Sequence, residues 1–364
     1  LPRVGGLANT FQRPAKPYEN SMRVIARWLL VSLSLLCLPL AAQPLSGLYQ
    51  VREAVASQQP EERDAAVKRA LDTLVLRLTG DPQALQNPGV AALRNDPQQI
   101  ISRYAYDSGA GQTLLVEFDP ISAERSLRQA GLALWSANRP AILAWWLNES
   151  SESTALVGDA QPAATVLRNA AVRSGLPLRL PLADLDEQLL ATAENLAAPQ
   201  PAALLPASAR YNADALLAVQ AREADGQWQA QWQLWLGDSR EQGNAQGADQ
   251  QALADAVLQA VSARLAPRFV SQPGAAQALQ VQVQGVNLQR YAQLQSLLAP
   301  FAARLQRANG EQLLFSVQAS PEQLRAQLAL AQLQEGPAPV VSAESAVPAP
   351  APAPVNPNVL QFHW

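Results

Sequence analysis

The stretch ADALLAVQAREADGQWQAQWQLWL, residues 213–236, decides the fold. Asp225-Gly226 is a two-residue hairpin turn, because both central positions need a left-handed backbone that Asp and Gly tolerate. Before the turn, Ala213–Ala221 is an apolar strand. After it, Trp228, Ala230, Trp232, Leu234 and Leu236 alternate with Gln227, Gln229, Gln231 and Gln233. A period of two sets the first group on a core face and the second in water. Trp235 falls on the glutamine side and is therefore expected at the surface.

Working outward, Asp249–Leu265 reads as a long amphipathic helix. Upstream, Ala141–Leu147 (AILAWWL) reads as a buried strand. Ala163–Ser174 is helical and closed by Gly175. Leu176–Leu182 can only be an edge strand, since Pro177 and Pro181 remove ladder donors. Asp184–Leu196 reads as one helix, and Pro199–Pro206 as a connector. Together these make a central α/β domain over residues 137–272.

Two small βαββα modules are expected to flank it, at residues 43–136 and 276–335, giving an α+β chain. In the first, Tyr49, Val51 and Val55 mark a strand. Pro60–Leu78 is a helix with acids in its first turn, Arg77 in its last and Gly80 as left-handed cap. Asp81–Pro97 reads as a loop. Ile100–Tyr106 and Thr113–Phe118 form a hairpin, and Asp119-Pro120 opens the next helix. In the second, Leu279, Val281 and Val283 alternate, Tyr291–Phe301 carries a helical stripe, Asn309-Gly310 is a turn, and Ser320-Pro321-Glu322-Gln323 starts a helix. The likeness between the modules is one of plan, without a residue-level repeat.

Residues 336–364 are a Pro/Ala-rich tail, expected to be disordered. Its end, Val359–Trp364 (VLQFHW), is apolar again. That suits a frayed terminus or a docking peptide on a stiff spacer. At the other end, Arg23 and Arg27 precede the uncharged run Trp28–Leu40 and the small residues Ala41-Ala42. This order reads as a cleavable signal peptide at residues 22–42, preceded by a mis-assigned upstream extension at 1–21. A mature chain would begin near Gln43, reside in the periplasm and keep no membrane span.

Charge and composition exclude several chemistries. Residues 43–364 carry 29 acids and 22 bases, a net charge of −7. No basic patch stands out, so nucleic acid is not an expected partner. Cys37 lies inside the signal, leaving the remainder without a thiol. His363 is the single histidine and sits in the tail, so neither a Ser-His-Asp triad nor a His/Cys zinc site is available in the folded body. Lys68 follows Val67 and belongs to no phosphate-binding loop. No catalytic, cofactor-binding or metal-ligating residue is assigned, and no cofactor is implied.

Carboxylates remain. Glycoside hydrolysis needs only two acids flanking a sugar bond. The candidates are Glu117 with Asp119, and Asp184 with Asp186 and Glu187. Each also has a structural reading, as a strand end or as a helix cap with its first turn. Trp135, Trp145, Trp146, Trp228, Trp232 and Trp235 cluster in the middle region. Such rings make either core or an aromatic binding surface.

Glu62-Arg63, Leu76-Arg77-Leu78-Thr79-Gly80, Tyr104, Tyr106, Val116-Glu117-Phe118-Asp119, Leu134-Trp135 and Arg139-Pro140 carry a resemblance. The stretch from Tyr49 through Trp146 resembles domain of unknown function 2066, a family of exported proteobacterial proteins. The resemblance implies a Gram-negative, exported protein and supplies no catalytic residue. The expected role is a non-enzymatic periplasmic protein that binds a protein partner in the cell envelope. The alternative is a carboxylate-dependent hydrolase acting on envelope glycan.

Overall fold

A computed structural model describes residues 47–107, 112–151, 153–271, 277–336 and 359–364. The signal peptide, the upstream segment and most of the Pro/Ala-rich stretch read from the sequence lie outside the described residues. The described residues belong to one compact unit, Pro44–Trp364. The chain is α+β, with helices packed on several separate sheets.

The first sheet has three antiparallel strands, β1 (Gln50–Ala54), β2 (Ile101–Asp107) and β3 (Thr113–Phe118), in the order β1-β3-β2. Helix α1 (Pro60–Thr79) buries Val67, Leu71, Leu74 and Leu78 against Leu114, Val116 and Phe118. It stops because Gly80 turns left-handed at φ 66° and donates its N–H to the Leu76 carbonyl at 2.7 Å. The loop expected at 81–97 instead contains a second helix, α2 (Pro88–Asn95). Asn87 caps it by accepting from the Gly89 N–H at 2.8 Å, and Pro88 takes the first position, where no donor is needed. Helix α3 (Pro120–Gln129) closes the layer through Ala123 and Leu127.

The central sheet is built from β5 (Ile142–Glu149), β6 (Thr154–Leu156), β7 (Leu178–Arg179), β8 (Ala215–Ala224), β9 (Gln227–Leu236) and β10 (Ser239–Gly247), with the short β4 (Leu134–Trp135) preceding it. Its order is β10-β9-β8-β5-β6, with β7 also beside β5. Strands β5 and β8 run parallel, while the Asp225-Gly226 hairpin joins β8 and β9 antiparallel. Ile142, Ala144 and Trp146 pack with α4 (Pro162–Ser174) and α8 (Gln250–Phe269) on one face. Leu143, Trp145 and Leu147 face the opposite cluster.

That second cluster overturns one expectation. Trp235 is only 9% exposed. The chain from residue 183 to 213 crosses the glutamine face there, and the Trp235 indole donates to the Pro199 carbonyl at 3.2 Å. Gln227, Gln229 and Gln231, nearer the hairpin tip, stay exposed. The covering segment is not one helix over 184–196. It breaks into α5 (Leu185–Leu190) and α6 (Ala193–Ala197), followed by α7 (Leu205–Ser208). Thr192 interrupts the run by capping α6, accepting from the Asn195 N–H.

A short strand β11 (Val270–Ser271) returns to pair with β4. The last sheet comprises β12 (Gln277–Gln284), β13 (Arg304–Asn309), β14 (Gln312–Ala319), β15 (Gln334–Glu335) and β16 (Val359–His363), in the order β13-β14-β12-β16-β15. Helices α9 (Leu288–Leu298) and α10 (Pro321–Ala329) cover it. The β13-β14-β12 half repeats the β2-β3-β1 order of the first sheet, and in both the second strand carries a register shift against the third.

Strand β16 corrects the reading of residues 336–364 as disordered throughout. Val359–His363 pairs parallel with β12 and antiparallel with β15. Alternation explains it: Phe362 is 2% exposed in the module core, with Leu360 and Trp364 packed at its edge. The Trp364 indole donates to the Ala331 carbonyl at 3.2 Å, and its ring lies 5.2 Å from the Arg290 guanidinium.

Two buried arginines close the seam between the first module and the central sheet. Arg77 donates to the Leu48 and Gln50 carbonyls, both at 2.8 Å. Arg139 donates to the carbonyls of Gly175 at 2.8 Å and Arg77 at 2.7 Å, and lies 4.4 Å over the Trp135 ring. Trp135 in turn stacks on Phe269 at 5.6 Å. Burial lowers the Arg77 pKa to about 10. Burial first, and then the Arg77 charge, lowers that of Arg139 to about 9. Both therefore stay charged at neutral pH and keep their donors.

Candidate functional site

The structure gives each acid singled out from the sequence a partner or a place on a helix end. Glu117 sits on β3, where Arg103 from β2 grips it with two bonds of 2.6 and 2.8 Å, lowering its pKa. Asp119 caps α3, accepting from the Ser122 N–H at 2.8 Å, and hydrogen bonds from Ser122 hold its pKa down. Neither is poised to deliver a proton near neutral pH, the task of a glycosidase acid.

Asp184 caps α5 in a reciprocal box with Glu187. The Glu187 N–H, and then Arg210, lower the Asp184 pKa. Asp186 is exposed in the same first turn. Glu187 is 1% exposed. It accepts from the Tyr211 hydroxyl at 2.6 Å, from the Ala183 N–H at 2.7 Å and from Arg210. This network holds Ala183 at φ 56°, a conformation costly for a residue with a Cβ. The acids thus build a rigid corner under α5.

That corner presents leucines to solvent. Leu182 is 63% exposed, Leu185 71% and Leu189 69%. Leu185 and Leu189 are four apart and share one face of α5. The sequence analysis placed Leu182 in the edge strand Leu176–Leu182 and Leu185 and Leu189 in the helix expected at 184–196, and singled out none of them.

A cleft of about 830 Å³ opens where β5 and β8 begin and β9 ends. Leu143, Leu216, Trp235 and Pro199 form apolar walls, and Asp214, Asp238 and Arg240 reach the same space. Burial raises the Asp214 pKa, although the Ala141 N–H, 2.7 Å away, and Arg179 oppose the shift. The sequence places Asp214 inside the strand expected at Ala213–Ala221, where nothing marks it as a site residue; in the structure it lies just before β8. Among the described residues no group of three or more His, Cys, Asp or Glu is placed to hold a metal ion. No described helix is long and apolar enough to cross a membrane.

A family model described as a domain of unknown function, DUF8605, matches residues 42–136. This range takes in the first sheet with its helices and ends at the β4 seam. This corrects the expectation of domain of unknown function 2066: the match is to another domain, and it carries no assigned activity. No curated protein and no solved structure matches the chain.

Proposed function

We propose that this is a non-enzymatic, exported protein of a Gram-negative cell envelope that works by holding another envelope protein. The leucines at 182, 185 and 189 carry the reading. Three large apolar side chains, each more than 60% exposed, lie within eight residues on a base locked by the buried Glu187. Exposed apolar clusters on a rigid support are where protein partners gain desolvation energy without ordering cost. The order of charges, apolar run and small residues at 22–42 supports export to the periplasm.

The test is site-specific photocrosslinking in cells from position 185. One or a few discrete adducts are expected. The triple variant L182Q/L185Q/L189Q should lose the partner while its unfolding free energy changes by less than about 0.5 kcal/mol, since exposed side chains contribute little to folding. A partner retained by the folded triple variant would remove the basis for this role.

The cleft favours a second reading, a carboxylate-dependent hydrolase acting on envelope glycan. The Asp214 pKa is shifted upward, the direction a general acid needs, although the residue itself is exposed at the cleft mouth, and Asp238 lines the same space. For a raised acid the folded state holds the proton longer than the unfolded chain, so stability falls as pH climbs from the unfolded pKa through the folded one. Asp214→Asn removes that loss and keeps an acceptor for the Ala141 N–H. It should therefore leave stability at pH 7 unchanged or higher by denaturant titration. Unchanged glycan turnover in cells carrying this variant would exclude the hydrolase.

A further inference from the structure

Among the described residues, every sheet edge except one is shielded against strand addition. In an antiparallel pair, alternate residues point their N–H and C=O groups away from the partner strand. The Tyr49 carbonyl accepts from the Phe118 N–H, so Gln50 and Ala54 of β1 face outward. Arg77 and Arg69 of α1 donate to their carbonyls at 2.8 and 3.0 Å. Strands β2 and β13 each carry an extra residue, Ser102 and Gln306, where the register shifts. Such bulges bend a strand and turn its edge aside. Strands β4, β6, β7, β11 and β15 are only two or three residues long. Side-chain cover, bulges and shortness all keep sheets from joining.

Strand β10 has none of these devices. Its nine residues pair with β9 without a shift, from Ser239↔Leu236 to Gly247↔Trp228. The two-residue turn Gly237-Asp238 makes Leu236↔Ser239 a hydrogen-bonded pair, so Arg240, Gln242, Asn244 and Gln246 aim their backbone groups outward. All four are exposed, and no other described strand or backbone group bonds to that edge. The strand holds no proline. Arg240 is its only cation, and Gln233 and Gln242 hold the guanidinium over the sheet face rather than beyond the edge.

We propose that β10 is the seam of a homodimer, pairing antiparallel with β10 of a second copy about a two-fold axis at Gly243. In that register Arg240 faces Gln246 of the second copy, and Gln242 faces its Asn244. Four pairs, each exchanging two hydrogen bonds, then satisfy every outward group. Moving the axis by one residue in either direction leaves one outward residue of each chain unpaired.

The helix layer fits the same axis. Helix α8 runs antiparallel to β10, with the Leu253 backbone against Gly247 and Arg268 reaching Ser239 and Glu241. Midway along these contacts lie Gly243 on the strand and Ala260 on the helix. Leu253, Ala260, Arg264 and Arg268 share one helix face. Ala245 and Ala260 are left half-covered at the margin of the central core. Because α8 lies over β10 and β9, strands about 4.8 Å apart would set α8 and its copy roughly 8–10 Å apart, the spacing of packed helices. A lone foreign strand would satisfy β10 and leave Ala260 uncovered. A second copy covers both layers, and puts a small residue at the closest approach of each. The seam uses none of the leucines of α5, so its failure leaves the partner reading standing.

Sedimentation of the full chain tests this, and the wild type should be a dimer at micromolar concentration. Asn244→Pro removes an outward N–H that β9 does not use, and Gly243 before it tolerates the restriction a proline imposes. This variant should raise the dimer dissociation constant at least about a hundredfold with unchanged circular dichroism. Cysteine pairing reads the register, with Cys37, the only native cysteine, replaced by serine. Co-expressed single variants Q282-free of further change, Q242C and N244C, carry different tags. Opposed residues stand about 5.5 Å apart, within disulfide reach, whereas two copies of the same variant place their cysteines about 7–8 Å apart on the diagonal. A mixed disulfide well above either homodimer is expected. A monomeric wild type, which leaves the edge to some other strand, overturns the proposal. A dimer that survives in folded N244P overturns it too. If N244P does not fold, the cysteine pair decides alone, and no mixed disulfide means no such seam.

Discussion

Replacing Arg139 by Met is expected to destabilise the chain by about 3–5 kcal/mol, because several buried carbonyls lose their donor at once. Those carbonyls are of a particular kind. Arg77 lies in the last turn of α1, and Gly175 caps α4. Carbonyls at helix C-termini have no partner within the helix and carry the negative end of its dipole. One guanidinium therefore serves two helix ends from two different parts of the fold, at 2.7 and 2.8 Å. Met keeps much of the volume and none of the donors. Lys should rescue only in part, since one ammonium cannot copy the planar fork. The loss should be flat from pH 5 to 8, because the folded pKa of about 9 keeps the group charged throughout. Urea titration of both variants measures the effect. A shift under about 1 kcal/mol for Arg139→Met would mean that water replaces the guanidinium at little cost.

Where the sequence was legible, local chemistry and burial agreed. Gly80 and Gly175 end helices left-handed, Asp225-Gly226 turns the central hairpin, and Ser320 with Gln323 makes the reciprocal cap. These signals act over four residues and need nothing from the rest of the chain. The misreadings came from distant partners. Trp235 has the spacing of a surface residue, and only the crossing of residues 183–213 buries it. β10, SREQGNAQG, has no apolar alternation at all. It forms because β9 offers an edge and because Gly243 leaves room for Trp232, whose ring lies 2.5 Å from where a Cβ would stand. Arg77 and Arg139 show the same limit. Their positions in the sequence mark a helix end and a linker, while their carbonyl partners lie up to 62 residues away. The candidate acids were visible as acids. The pairing of Glu117 with Arg103, and of Asp184 and Glu187 with Arg210, was not, since charge pairing between segments apart in the chain leaves no trace in a single sequence.

Phe362→Ala should cost the last module about 3–5 kcal/mol, as for other fully buried aromatic rings. The ring is 2% exposed and opposes Val283 across the β12–β16 ladder. The last module gains the strand that bears this ring from beyond the spacer, so weakening its seat does more than leave a hole. Once Val359–His363 leaves, β15 loses its only registered partner among the described strands and β12 becomes an open edge. Hydrogen exchange reads this directly. Amides of β12 that face β16 should lose protection by at least about a hundredfold, which corresponds to roughly 2.7 kcal/mol of local opening. Amides of β5 and β8 in the central sheet should keep theirs, because their ladders lie in another core. Equal loss in both sheets would show that the last module and the central domain unfold as one unit. Unchanged protection along β12 would show that Phe362 does not hold the strand, and that Leu360, Trp364 and the backbone ladder suffice to keep it in place.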